Sequence, residues 1–338
     1  MQPTGRVTIT DVALAAGVSV ATVSKVINAR YGVAATTVER VQQVIDRLGY
    51  ESSIVARSLR SHRTNVIGVL VAEFEPFSTE ILKGASTAIA GTGYELLAYS
   101  GGGSTAPKVG WERRYLSRLG GTLIDGAILV TPTVVDIQAQ FPVVAIDPHA
   151  GPGDLPTIDG DNLAGAVIAT RHLTELGHRR IGFIAGRSDL ESARLREEGY
   201  RTALAGAGID FDPALVRVGD YRRESSHPGA RELLTLPDRP TAVFAANDLS
   251  AIATLEVAAE LGLRVPEDLS VVGFDNIPES ALTMPPLTTV SQPLQRMGAE
   301  AIALLIRIID GGPDATDLLE THQTLPTELV RRGTTSAL

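Results

Sequence analysis

Residues 8–28 read TITDVALAAGVSVATVSKVIN, and the parsing of the whole chain turns on this stretch. Thr8 is placed to N-cap a helix, with Asp11 at N3 in a capping-box pattern. Ile9, Val12, Ala13 and Ala16 recur at helical spacing. Gly17 supplies a residue that turns the chain through positive φ. Ser19 then caps a second helix with Val23, Val26 and Ile27 as its apolar stripe and Thr22, Ser24, Lys25 and Asn28 on its other faces. After a loop, TTVERVQQVIDRLGY (36–50) predicts a third helix. Val38, Val41, Val44, Ile45 and Leu48 face inward and Gly49 stands at C′. Three small helices with a tight turn between the first two make a helix-turn-helix unit. Short helix pairs also occur inside enzymes, so composition has to weigh in.

The 338-residue chain has a formal net charge of −9, unevenly spread. Residues 1–65 hold eight Lys or Arg against four Asp or Glu, a net +4, which leaves −13 for the remainder. A basic head on an acidic body points to a head that meets a polyanion. The length suits two or three domains with sizeable cores. Apolar residues at 44% and charged ones at 20% exclude a disordered or fibrous chain. There is no cysteine, which excludes disulfides and thiolate metal sites and fits a reducing compartment. The start MQPTGRVTIT has no apolar h-region, and no run approaches the ~18 apolar residues of a membrane span. A cytoplasmic protein without membrane contact is expected.

The body alternates short buried strands with helices. VIGVLVA (66–72), YELLAYS (94–100), GAILVTP (126–132) and PVVAID (142–147) form one set of apolar runs. RIGFIAG (180–186), AVFAAND (242–248) and SVVGFDN (270–276) form a second. STEILKGASTAIAGTG, NLAGAVIATRHLTELG and LSAIATLEVAAELG lie between them as helices. The fold class is therefore α/β, with two doubly wound parallel-sheet subdomains behind a small all-α head. GGGS (101–104) reads as a loop, and neither a Walker A motif nor a strand-linked GxGxxG occurs.

Polar residues gather at strand ends, where open α/β sheets bind ligands. Asp147 ends VVAID, Asn247 and Asp248 end FAAND, and Asp275 ends VVGFD. Arg196 lies in SARLRE, Tyr221 in GDY and Gln292 in VSQP. Such aspartates serve as metal ligands, general acids or helix N-caps; for Asp248 the cap is favoured. A polyol needs paired acceptors and donors with an aromatic face against its C–H surface, and this set supplies them. The six histidines do not cluster at ligand spacing, and His178, at a helix end, reads as capping carbonyls. No GxSxG elbow is present. No catalytic residue, cofactor or metal is expected.

SSIVARSLRSHRT (52–64) predicts one or two helical turns. A helix this short hardly forms alone, since about 12–15 residues are needed in water; it requires a partner, or it is a simple linker.

The opening stretch, TTVERVQQVIDRLGY and ARSLR together resemble the head of the LacI/GalR family of bacterial transcription regulators, and the resemblance runs from about residue 7 to about 332. It implies a sequence-specific DNA-binding repressor. Such a protein binds double-stranded DNA at a near-palindromic operator as a homodimer, and a small-molecule effector switches its affinity. It also implies a periplasmic-binding-protein-like core. By matching positions, Ser19 to Asn28 is the recognition helix. Val20 and Ala21 are its variable base readers, suited to thymine methyls, and Lys25 stands where arginine is usual. Thr8, Ile9, Thr22, Ser24, Asn28 and Thr37 fall at the DNA surface, mainly for phosphate contact. Residues 52–64 become a hinge helix in which Leu59 wedges into the minor groove beside Ala56 and Arg57. The family often has Pro-Asn where this chain has Ser52-Ser53.

In the core, the resemblance places Arg196, Asn247 and Asp275 on effector hydroxyls, Tyr221 as an aromatic contact and Phe77 in the other lobe. With Asp147 and Gln292 these form the expected effector site, which favours a sugar over a purine. The implied domains are a head at 1–51, a hinge at 52–64 and a core at 65–338. The N-subdomain covers about 65–160 plus 290–321 and the C-subdomain about 161–289 plus 322–332, with chain crossings near 158–162, 288–291 and 320–323. VRRGTTSAL (330–338) lacks the leucine heptads that build tetramers in some relatives, so a dimer is expected. Two other readings share the two-lobed body: a sugar-binding transport-type protein, which the head and the missing signal peptide disfavour, and a sugar-processing enzyme.

Overall fold

The computed structural model describes residues 7–27, 31–50, 63–101, 109–120, 123–134, 136–137, 139–151, 153–311 and 322–338. Two units separate, Met1–Thr64 and Asn65–Leu338.

In the first unit, α1 (Ile9–Ala16), α2 (Val20–Ile27) and α3 (Ala35–Leu48) follow in order. The capping box forms as the spacing predicts: the Thr8 N–H donates to Asp11 Oδ2 at 2.8 Å and the Asp11 N–H to Thr8 Oγ1 at 3.4 Å. Gly17 adopts φ 63° and ends α1, its N–H and that of Val18 returning to Leu14 O and Ala13 O. Ser19 Oγ accepts the Thr22 N–H at 3.1 Å and so caps α2. Val12, Ala13, Ala16, Val23, Val41 and Val44 are buried together. Val38 departs from the expected inward face: at the first turn of α3 it is 38% exposed, and Val41 and Val44, one turn further on, carry the contact.

The second unit holds two lobes. Lobe 1 is built on a sheet in the order β11-β5-β4-β3-β1-β2, from β1 (Val66–Val71), β2 (Glu95–Ser100), β3 (Gly126–Val130), β4 (Val143–Ile146), β5 (Thr157–Gly160) and β11 (His322–Leu325). Every pairing is parallel; Val69 stands beside Ala98 on one side and Ile128 on the other. Helices α4 (Pro76–Ala88), α5 (Trp111–Leu119) and α10 (Leu294–Gly311) belong to this lobe. β1, β3 and β4 are buried along their whole length, which is why they read as unbroken apolar runs. Helices α4 and α10 approach backbone to backbone: a Cβ on Gly84 would stand 1.8 Å from Gln295 O, and one on Gly298 would stand 2.1 Å from Ile81 O.

Lobe 2 has the sheet order β12-β10-β9-β8-β6-β7, from β6 (Ile181–Ala185), β7 (Val216–Val218), β8 (Ala242–Ala245), β9 (Ser270–Asp275), β10 (Thr288–Ser291) and β12 (Glu328–Val330). Among the described residues of this sheet only β12 pairs antiparallel. Its helices are α6 (Asn162–Glu175), α7 (Glu191–Gly206), α8 (Arg223–Leu234) and α9 (Asp248–Glu260). Phe183 stacks between Tyr200 at 4.9 Å and Phe244 at 5.2 Å in the core. His178 does not cap the helix before it. Its ring is buried against Thr241 Oγ1 at 2.9 Å, Ser270 Oγ at 3.0 Å and Ser336 O at 3.1 Å.

The chain passes between lobes at Asp161, at 292–293 and at 326–327. The third passage lies beyond the expected 320–323, because His322–Leu325 pairs with β5 and therefore belongs to lobe 1. The second follows β10, which pairs with β9 and keeps 288–291 in lobe 2. Residues past 332 also remain with lobe 2, where the Thr334 hydroxyl donates to Val271 O at 2.6 Å and the Leu338 N–H donates to Leu176 O at 3.0 Å. No single described helix is long and apolar enough to cross a membrane.

Candidate functional site

A cavity of about 560 Å³ opens between the lobes at the carboxyl ends of their strands. Five of the seven described non-glycine residues with positive φ line it: Thr131, Asp147, Asp220, Tyr221 and Asp275. Each costs roughly 1–3 kcal/mol, and strain concentrated in this way marks a functional site.

Phe77, Asp147, Arg196, Tyr221, Asn247 and Asp275, all expected at the site, line this cavity. Arg196 comes from α7 and is buried. Its Nε donates to Asn162 Oδ1 at 2.9 Å and its NH1 to Ala246 O at 2.5 Å, and it stands 3.3 Å from Asp275 Oδ1. The guanidinium also stacks 3.9 Å from the Phe274 ring centre and 5.2 Å from that of Tyr221. The Tyr221 ring lies so close to Gly186 that a Cβ there would come within 2.4 Å of it. Asn247 is the N-cap of α9: its Oδ1 accepts the Ser250 N–H at 3.0 Å while its Nδ2 donates to Tyr221 O at 2.9 Å.

Two expectations need correction. Asp248 is the first residue of α9 and not its cap. It is buried, and its carboxyl accepts the Ile277 N–H at 2.9 Å and the Thr289 hydroxyl at 2.5 Å. Gln292 does not line the cavity; at the second interlobe passage it is buried behind Asp275, and its Nε2 donates to Asp275 Oδ1 at 2.8 Å.

Burial governs the acids here. It pushes Asp275 up to about 6 against the pull of Arg196, and Glu75 up to about 7 with help from the Asp275 charge. Asp147 is raised too, and Asp159 behind it reaches about 7 through burial and the charge of Asp147. Burial, aided by Arg187, lowers the His149 ring to about 4. Such shifts cluster where ligands bind. Glu75, His149, Arg187, Asp189, Asp220 and Arg222 also line the cavity and escaped the sequence reading. Arg187 and Asp189 follow β6 directly, so the strand-end signal that singled out Asp147 could have found them.

In the head, Ser19, Val20, Ala21 and Lys25 are exposed on or beside α2, and Thr22 and Ser24 are half-buried. Thr8 is exposed as the α1 cap, and Ile9 and Thr37 are half-buried in first turns. Asn28, Ala56, Arg57 and Leu59 lie outside the described residues. Among the described residues no group of His, Asp and Glu is placed to hold a metal ion.

Residues 8–53 match the family described as bacterial regulatory proteins, lacI family, and residues 170–335 match a periplasmic binding protein-like domain. The HTH-type transcriptional repressor CytR of Escherichia coli (strain K12) is 36% identical over 338 residues, covering 98% of this chain and 97% of that protein. The chain belongs to the lacI family of bacterial regulatory proteins. A second member, the HTH-type transcriptional repressor PurR of Aliivibrio salmonicida (strain LFI1238), is 34% identical over 328 residues, covering 95% of this chain and 97% of that protein. Among solved structures, the lac repressor dimer bound to operator and the anti-inducer ONPF aligns with TM-score 0.83 and 28% identity, over 98% of this chain and 100% of that one. The transcriptional regulator CelR–cellobiose complex aligns with TM-score 0.71 and 34% identity, over 97% and 100%. This lacI-family chain is thus a helix-turn-helix transcriptional repressor with a ligand-binding core.

Proposed function

We propose that this repressor binds a near-palindromic operator as a cytoplasmic homodimer and is controlled by a sugar held in the interlobe cavity. The observation that carries the reading is the cavity wall: Asp147, Arg196 and Asp275 offer paired acceptors and donors beside the Tyr221 ring. That mixture suits a polyol, whose hydroxyls both give and accept hydrogen bonds and whose C–H face lies against an aromatic ring. The likeness to a regulator solved with cellobiose supports a saccharide of one or two rings.

Ser19, Val20, Ala21 and Lys25 enter the major groove, with Val20 and Ala21 against thymine methyls and Lys25 donating to guanine. Thr8, Ile9, Thr22, Ser24, Asn28 and Thr37 hold the head on the backbone. Residues 52–64 form the hinge, and Ala56, Arg57 and Leu59 meet the minor groove at the operator centre. Sugar binding favours a lobe arrangement in which the hinge helices part, so the sugar and the operator weaken each other's binding reciprocally.

A thermal-shift series of mono- and disaccharides, followed by gel-shift titration on an operator selected from random DNA, tests this. A sugar that raises the melting midpoint and releases operator is the expected result. Loss of both responses in Arg196→Ala places the sugar in this cavity. A sugar that is chemically converted, or that binds without moving operator affinity, overturns the proposal.

A further inference from the structure

The charges around the cavity are unevenly matched. Among the described residues three arginines reach its wall, and each already has an acid. Arg187 forks onto Asp189, Nε to Oδ1 at 3.0 Å and NH2 to Oδ2 at 2.6 Å. Arg222 of lobe 2 reaches Glu73 of lobe 1, NH2 to Oε2 at 2.9 Å. Arg196 faces Asp275 at 3.3 Å and is held by Asn162 and the Ala246 carbonyl. Three acids on the same wall have no such match: Glu75, Asp147 and Asp220 form no ion pair among the described residues. His149 adds no compensating charge near neutral pH, since its ring is held down to about 4. Burial chiefly raises the Glu75, Asp147 and Asp275 carboxyls, against the pull of Arg196 on the last two, and the charge of a neighbouring acid adds to it in each.

We infer that the cavity selects its effector by charge, taking an uncharged molecule rich in hydroxyl donors and refusing the phosphate ester of that molecule. The inference rests on the reading of the cavity as the effector site. A carboxylate is an acceptor with lone pairs to fill, and hydroxyls fill them. A phosphate group carries close to two negative charges at neutral pH and needs forked donors. Here Arg187 is forked onto Asp189, Arg222 is paired with Glu73 and Arg196 with Asp275, and the phosphate would be desolvated beside acids that no ion pair serves.

Two measurements on the full chain test the inference. In the first, matched pairs are titrated at neutral pH by calorimetry: cellobiose, glucose and ribose, each against its phosphate ester. The parent sugar that binds is expected to bind at least about tenfold more tightly than its ester; an ester that equals or exceeds its parent overturns the inference. The second uses inorganic phosphate as probe on the wild type and on Glu73→Gln/Asp189→Asn. Both replaced acids are partly exposed, with side chains 30% and 63% accessible, so the fold tolerates the change. The variant frees two guanidiniums and is expected to gain a saturable rise in melting midpoint that the wild type lacks at equal ionic strength. A rise in the wild type, or none in the variant, overturns the inference. Tyr221→Ala separates the two possible failures. An ester response that this substitution abolishes means the site is right and the charge rule is wrong. A sugar response that it leaves unchanged means the site itself is wrong.

Discussion

Gln292 Nε2 donates to Asp275 Oδ1 at 2.8 Å, and Gln292 Oε1 lies where a Cβ on Gly160 would be 2.0 Å away. One side chain at the second interlobe passage thus braces a cavity carboxylate and packs on the strand that leads into the first. Gln292→Leu keeps the volume and removes the donor. Asp275 then loses a bond that favours its ionised form. Effector affinity at neutral pH is expected to fall about tenfold, while operator binding without effector persists. Calorimetry and gel shift on the same preparation check both.

Gly186 makes room for the Tyr221 ring, since a Cβ there would stand 2.4 Å from Cζ. Gly186→Ala displaces the ring from the cavity wall. Effector binding is expected to weaken at least about tenfold, with a destabilisation of only about 1–2 kcal/mol. The contrast between calorimetric affinity and urea unfolding reads the two effects apart.

Glu75 sets a pH signature. Its pKa rises from the ordinary 4.5 to about 7 through burial first and the Asp275 charge second. The folded state therefore keeps a proton that the unfolded chain has already shed, and stability falls as pH climbs from 4.5 to about 7. Glu75→Gln removes that slope. The variant should match the wild type near pH 4 and exceed it at pH 8 by about 2 kcal/mol, below the full linkage value because the cleft admits water. Urea unfolding across that range measures it. The opposite sign would mean that Glu75 is ionised and paired in the folded protein.

Lys25 is exposed on α2. Lys25→Ala should relax base preference at one operator position by about 1–3 kcal/mol, and Lys25→Arg should sharpen it toward guanine through a two-pronged contact. Site selection from random DNA gives the answer for both. A uniform loss across all sequences would assign Lys25 to phosphate.

Gly84→Ala meets backbone and not a side-chain tip, with its Cβ 1.8 Å from Gln295 O. α4 and α10 must then separate, and lobe 1 should lose about 3 kcal/mol or more. Chemical denaturation quantifies the loss. A neutral result would show that the two helices slide apart freely.

How much of this was legible in the chain followed from how far each element depends on neighbours. VIGVLV and SVVGFD announce themselves because both sheet faces are covered and every position is buried. TIDG, HQTL and ELV become β5, β11 and β12 only through pairing, and nothing in their short, half-polar sequences carries that. For this reason the third passage falls after His322–Leu325 and not at the expected 320–323. Acids at strand ends were readable, so Asp147 and Asp275 were found. Glu75 was not, because it stands before α4 and reaches the cavity from a helix start. Asn247 and Asp248 are adjacent acceptors; only the extended backbone at Asn247, φ −151°, decides which one caps. Gln292 was recognised as polar and near the site, but which way its amide faces depends on Gly160 across the passage.

The order in which lobe 1 is assembled has a consequence during synthesis. Its core includes Met297, Leu304 and Leu305 from α10, and its sheet gains β11 at His322–Leu325, although its first strand is Val66–Val71. A nascent chain halted after residue 291 holds nearly all of lobe 2 but only part of the apolar packing of lobe 1. Until α10 has folded back, the part of the early sheet that packs on Met297, Leu304 and Leu305 lacks its apolar cover, so lobe 1 closes last although it begins first.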